Sequence, residues 1–153
     1  MKKILLSSVA LLSLVTSLSV NSPVSAQESI SPKAYSHSNG SWIQSNGRWW
    51  YKHSDGSYTK NGWEKINETW YYFDSEGWMK TGWFNEYGNW YYLDDSGAMK
   101  TGWCLISGSW YYLNTSGVMQ TGLQTIEGKQ YYLADSGAMQ TGWHNIGDDT
   151  YFF

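Results

Sequence analysis

The sequence predicts an all-β chain built as a solenoid of stacked β-hairpins, and three observations carry that prediction. A block of about twenty residues recurs five times, at 41–60, 61–80, 81–100, 101–120 and 121–140, and a partial sixth copy spans 141–153. Glycine punctuates each copy about every ten residues, at the places where a hairpin must reverse. Between the glycines stand short runs of β-formers, as in Trp70-Tyr71-Tyr72-Phe73 and Trp110-Tyr111-Tyr112-Leu113. Twenty residues cannot bury a core alone, so neighbouring copies have to stack. Aliphatic side chains are sparse beyond the N-terminal region, so the shared apolar surface is mostly aromatic.

In chain order, residues 1–26 read as a secretory signal peptide. Lys2 and Lys3 form a basic start, Ile4 to Val20 is an apolar run broken only by small hydroxyl residues, and Val24-Ser25-Ala26 fits a cleavage site. A membrane anchor is the weaker alternative, because the run is short, rich in serine and followed by no stop-transfer pattern. Residues 27–40 are polar, without periodicity, and read as a flexible linker. Residues 41–153 are repeats throughout. Within each copy a strand starts at Gly-Trp, and a tight turn follows at Asn46-Gly47, Tyr87-Gly88, Ser107-Gly108 or Glu127-Gly128. The aromatic strand comes next, then a second turn ending in Gly56, Gly77, Gly97, Gly117 or Gly137.

Charge and cysteine content narrow the function. Without the signal the chain has eight basic against thirteen acidic side chains, which argues against nucleic acid or an anionic membrane as partner. Cys104 is the only cysteine, so no internal disulfide forms. It fills a variable slot held by Glu64, Phe84 and His144 in other copies, and reads as a filler rather than a reactive thiol.

Strand alternation sends Trp70 to one face and Tyr71 to the other, in every intact copy. When hairpins stack, the Trp face of one copy meets the face of the next that carries its first Tyr. The first junction is then walled by Trp42, Trp49 and Tyr71, and the second by Trp63, Trp70 and Tyr91. The third takes Trp83, Trp90 and Tyr111, and the fourth Trp103, Trp110 and Tyr131. Three π faces around a gap attract a cation through the ring quadrupoles, each contact contributing roughly 0.5–2 kcal/mol. A quaternary ammonium suits such a gap, having no N–H donors whose hydration needs replacing. Aromatics at β spacing also read as plain core packing, and spacing alone does not separate the two. Copy five does bear on it. It keeps Tyr131, Tyr132, Leu133, Gly137 and Met139 but has Leu123 and Gln130 where tryptophans stand elsewhere. Both Trp walls change together while the scaffold stays, as expected of a ligand-binding pair.

Gly-Trp, then Gly-x-Trp-Tyr-Tyr-Leu, then Ser-Gly-x-Met-x-Thr-Gly-Trp closely resembles the choline-binding (cell-wall-binding) repeats of Gram-positive surface proteins and wall lysins. The resemblance covers Trp42 to Phe153. It implies a left-handed solenoid of hairpins, with choline head groups of teichoic and lipoteichoic acids held between consecutive copies by two aromatics of one and one of the next. It also implies that an apolar residue closes each cage. Met79, Met99 and Met119, with Met139 after them, occupy that slot, where solenoid packing is an equal reading. Copy one is longer by one residue between Gly56 and Trp63, which is expected to distort the first junction. The junction after copy five offers Leu123, Gln130 and Tyr151, and no cage is expected there.

Relatives join such repeats to lytic domains, but the residues between signal and repeats leave no room for one. His37, His53 and His144 show no metal-ligand spacing with one another or with Cys104. Acids such as Asp94 and Asp95 sit in turns, where they have an adequate structural role. The expectation is a secreted, non-catalytic binding module without cofactor, held non-covalently on the cell wall, with no membrane span after signal cleavage. Two alternatives stand beside it: a glucan-binding repeat protein, and an adhesin displayed through choline towards a host protein.

Overall fold

The computed structural model describes Tyr35–Ser36 and residues 39–153. The signal-peptide reading, most of the linker and His37 lie outside the described residues. Two residues within the segment read as a linker, Tyr35–Ser36, form a strand that pairs in parallel with Gly62–Ile66.

The described chain is a succession of six antiparallel hairpins. Hairpin one joins Gly40–Ser45 to Arg48–His53, and hairpin two joins Gly62–Ile66 to Thr69–Phe73. Hairpin three pairs Gly82–Glu86 with Asn89–Leu93, and hairpin four pairs Gly102–Ile106 with Ser109–Leu113. Hairpin five pairs Gly122–Ile126 with Lys129–Leu133, and hairpin six Trp143–Ile146 with Asp149–Phe152. Hairpins one to five turn through two residues that both have positive φ, as in Tyr87 at 50° and Gly88 at 86°. That geometry matches the right-handed twist of the flanking strands. Hairpin two achieves it without glycine, placing Asn67 at 46° and Glu68 at 64°.

Register places each first-strand tryptophan directly opposite the second tyrosine of its own copy: Trp63 with Tyr72, Trp83 with Tyr92 and Trp103 with Tyr112. Trp70, two residues before Tyr72, therefore shares that face and lies diagonal to Trp63. The opposite face carries Glu64, Tyr71 and Phe73. Alternation with no exception along five-residue strands explains why one face is aromatic and the other mixed.

Copies are stitched by their methionines. After the second turn, Met79, Met99 and Met119 bridge back to Phe73, Leu93 and Leu113 of their own copies. Each also donates its backbone N–H to the second tryptophan of the copy before: Met79 to the Trp49 carbonyl (2.7 Å), Met99 to Trp70 (2.9 Å) and Met119 to Trp90 (2.8 Å). One residue thus closes its own copy and fixes the preceding one.

The core is divided among the junctions. Tyr51, Ile66 and Phe73 form the first cluster, with Trp42, Tyr71 and Met79 packed on it. Trp63, Phe84 and Leu93 form the second, and Cys104, Ile106 and Leu113 the third. The slot that varies along the sequence is hence a core position, holding buried Glu64, Phe84 and Cys104. Burial raises the Cys104 thiol above its ordinary pKa, an effect that Lys100 only partly opposes. Glu64 is fully buried but satisfied: His53 Nε2 lies 3.0 Å from its Oε1, and Thr59 donates to Oε2 at 2.7 Å. Partners of this kind make a buried carboxylate tolerable.

The extra residue of copy one does not distort the first junction. Copies three to six reach the left-handed region at the glycine of the Gly-Trp or Gly-Leu pair where the first strand starts, as in Gly82 (φ 77°) and Gly102 (φ 72°). In copy two Asn61 makes that kink instead, at 46°. The insertion is absorbed one residue upstream of Gly62, where the Asn61 N–H donates to the Asp74 carbonyl at 2.9 Å.

Candidate functional site

The Trp face of each hairpin meets the first tyrosine of the next, with near-constant geometry. Ring centroids lie 4.8 Å apart for Trp42 and Tyr71, 5.0 Å for Trp63 and Tyr91, 4.9 Å for Trp83 and Tyr111, and 4.7 Å for Trp103 and Tyr131. All four contacts are edge-on, with interplanar angles of 61–64°. The two rings therefore form a corner rather than a closed stack. The second tryptophan stands apart from that corner, and Trp49, Trp90 and Trp110 are 38%, 44% and 43% exposed. Large aromatics left that open on a structured face are candidates for a binding surface rather than core.

Open cavities lie at the first and third junctions. At the third, Trp83, Trp90, Tyr111 and Met119 line a space of about 380 Å³. At the first, Trp42, Trp49 and Met79 line about 350 Å³. Both are within the size range of small-ligand clefts, roughly 300–1,000 Å³. Each methionine is held in place from behind. The sulfur of Met79 lies where a Cβ on Gly97 would be, and Met99 and Met119 stand in the same relation to Gly117 and Gly137. In copy one Tyr58 takes the methionine's place, against Gly77 and in ring contact with Trp50 at 5.4 Å.

The second junction brings the same residue types together in a more compact form. Trp63 is only 4% exposed and donates its indole N–H to Glu86 Oε2 at 2.8 Å. Phe84 packs against it at 5.4 Å and against Tyr72 at 4.6 Å. Trp70, Tyr91 and Met99 close around the same cluster. A bulky side chain in the variable slot thus draws the first indole inward. At the fourth junction Cys104 occupies the slot on the far side of the hairpin, Trp103 meets Tyr131, and Met139 pairs with Leu133 as its equivalents do. Leu123 and Gln130 hold the Trp positions at the fifth junction, where Tyr132 packs instead on His144 (5.1 Å) and Phe153 (5.9 Å).

The electrostatics favour neutral, electron-rich walls. Burial raises the pKa of the Tyr71 and Tyr91 phenols, and the carboxylates of Asp94 and Glu86 respectively raise them further. These rings keep their protons at neutral pH and present uncharged π faces. Among the described residues no group of His, Cys, Asp and Glu is disposed to hold a metal ion, and no helix is long and apolar enough to cross a membrane.

Sequence reasoning missed the acidic turns at the mouths of the cavities. Asp135 and Ser136 line the third-junction cavity, and Asp95 and Ser96 the first. They come from the second turn of the hairpin two copies on, and a pairwise view of neighbouring copies has no place for them. The available signal was the recurrence of Asp-Ser before the turn glycine.

Comparison with known proteins agrees with this geometry. The choline-binding repeat family matches residues 60–101, 100–139 and 120–153. No curated protein matches the chain. Among solved structures, choline binding protein F from Streptococcus pneumoniae is similar at 40% identity over 72% of this chain, with a TM-score of 0.68. CbpJ from Streptococcus pneumoniae TIGR4 is similar at 39% identity over 76% of this chain, with a TM-score of 0.69. A modular pneumococcal cell-wall endolysin from phage Cp-1, in complex with choline, is similar at 41% identity over 74% of this chain, with a TM-score of 0.58. The match covers 41%, 40% and 34% of those three chains, so this chain spans well under half of their length.

Proposed function

The chain belongs to the choline-binding repeat family, and on that premise we propose that it is a non-catalytic module binding choline through the aromatic cages between its hairpins. The observation that carries the reading is the pair of open cavities, each walled by two indoles of one copy and closed by a methionine of the next. A trimethylammonium group placed there meets π faces on several sides and gives up no hydrogen bond.

Magnitudes set the mode of action. Two or three cation–π contacts of roughly 0.5–2 kcal/mol each leave a single site in the region of millimolar affinity once immobilisation is counted. Retention on a polymer bearing many cholines then comes from several sites engaging at once, which raises avidity by roughly 10²–10⁴ without new contacts. We take the polymer to be teichoic and lipoteichoic acid, and the chain to be exported and held non-covalently at the cell wall. The endolysin complexed with choline supports the ligand class, and the shared repeats support the mode of attachment.

The test is retention on a tertiary-amine resin at high salt, with elution by free choline. The wild-type chain should stay bound in salt and leave in choline. Replacing Trp83 and Trp90 together by alanine should weaken retention while the remaining hairpins stay folded by circular dichroism. Elution by salt alone, or retention on a glucan column in place of the amine resin, would overturn the reading.

A further inference from the structure

Each cavity is built from three successive copies, not two. Trp83 and Trp90 come from copy three, Tyr111 and Met119 from copy four, and Asp135 and Ser136 from copy five. The first-junction cavity repeats the scheme, with Trp42 and Trp49, then Met79, then Asp95 and Ser96. The coupling between these parts is mechanical. Met119 donates to the Trp90 carbonyl and rests its sulfur on Gly137, and Met79 does the same between Trp49 and Gly97. The turn that carries the acid is thereby seated over the cage of the copy two places earlier. Met99, between Trp70 and Gly117, makes the same link at the second junction. There the corresponding turn residues are Thr115 and Ser116, with no acid.

We propose that the acid two places before the turn glycine is a specificity-determining residue of the site two copies upstream, so that Asp95 and Asp135 make the first and third junctions cation-selective. Thr115 leaves the second without that charge. The proposal rests on the choline-binding reading and deepens it. The aromatic walls recognise the shape and diffuse charge of a quaternary ammonium, and the carboxylate adds a full opposite charge at the mouth. Asp95 and Asp135 are exposed, so their effect is screened and modest. At the first junction the field of this turn reaches the wall itself: burial raises the Tyr71 phenol, and Asp94, the neighbour of Asp95, raises it further.

The residue also discriminates among ligands that carry the same ammonium. An anionic group borne close to the cation is repelled by the carboxylate, which offsets part of the gain. A bare quaternary ammonium alcohol gains from Asp95 and Asp135, and its phosphate monoester gains less.

The experiment compares the full chain with Asp95→Asn/Asp135→Asn, and with a control pair of equal charge change, Asp148→Asn/Asp149→Asn, in the turn and at the adjoining strand end of hairpin six. Choline, phosphocholine and the uncharged isostere 3,3-dimethyl-1-butanol are titrated by tryptophan fluorescence at low salt and at high salt. The cavity pair should weaken choline binding by about two- to fivefold at low salt, less at high salt, with a smaller change for phosphocholine. The isostere should be unaffected, and the control pair should leave choline binding as it was. Thr115→Asp should strengthen choline binding. Equal effects of the two pairs, or none from the cavity pair on a wild-type chain that binds choline, overturn this proposal alone. A wild-type chain that does not bind choline overturns the preceding reading and this one with it.

Discussion

Replacing Gly137 by alanine perturbs two terms that the repeat allows to be measured apart. Gly137 sits at φ 85°, and the Cβ of an alanine there would fall on the sulfur of Met119. Gly128 sits at a similar φ, 77°, with nothing within 4 Å of a built Cβ. Copy two shows what the second environment tolerates, since Glu68 occupies the equivalent turn position at φ 64°. The left-handed conformation costs an alanine about 1–2 kcal/mol. Overpacking a fixed contact adds about 1–3 kcal/mol. Gly128→Ala should therefore destabilise by about 1–2 kcal/mol and Gly137→Ala by about 2–5 kcal/mol, both terms acting in the second case. Urea unfolding followed by tryptophan emission reads both. In a Met119→Ala background the overpacking term has no partner, so Gly137→Ala should cost only about as much as Gly128→Ala. Equal costs of the two substitutions in the wild-type chain, or no coupling to Met119, would refute the claim that this methionine is clamped between a turn and a cage.

Two further outcomes follow from the same packing. The Cys104 thiol, buried and raised in pKa, should react with a thiol reagent at pH 8 on the order of a hundredfold more slowly in the native chain than in urea; comparable rates would place it outside the core. Burial pushes the Asp94 carboxyl up, but Ser96 Oγ at 2.6 Å, the Ser96 and Ala98 amides and Lys100 outweigh it and leave its pKa below the usual 3.8. A depressed carboxyl stabilises the fold fully above the unfolded pKa, and that contribution is lost as pH falls through the folded value. Asp94→Asn should accordingly lower the urea midpoint at pH 7, with the gap to wild type closing below about pH 4; a gap independent of pH would contradict this.

The hairpin stack was legible because the repeat states the same instructions several times. The Tyr pair, the turn glycines and the methionine return at fixed offsets, so alternation alone identified which side chains share a face. The Trp–Tyr corners at all four junctions followed from that. Three features did not follow. Trp63 differs from Trp83 because Phe84 draws it inward, and side-chain volume in the variable slot reveals this only after stacking. Asn61 takes over the left-handed kink of glycine, so a one-residue insertion that reads as a distortion leaves the junction intact. The acids at the cavity mouths reach back two copies, a distance that depends on how each hairpin is seated on the last. Local pattern gives the faces of a strand, and only the stack gives the neighbours of a neighbour.

If the junction aromatics hold a cation, charge as well as shape must matter to them. Titration of the full chain with choline and, separately, with 3,3-dimethyl-1-butanol separates charge from shape, because a carbon replaces the charged nitrogen with the shape kept. Choline should change tryptophan emission saturably in the millimolar range, with at least about tenfold weaker response to the uncharged isostere. Equal affinity for the two would show that the cages bind shape alone and hold no cation as such.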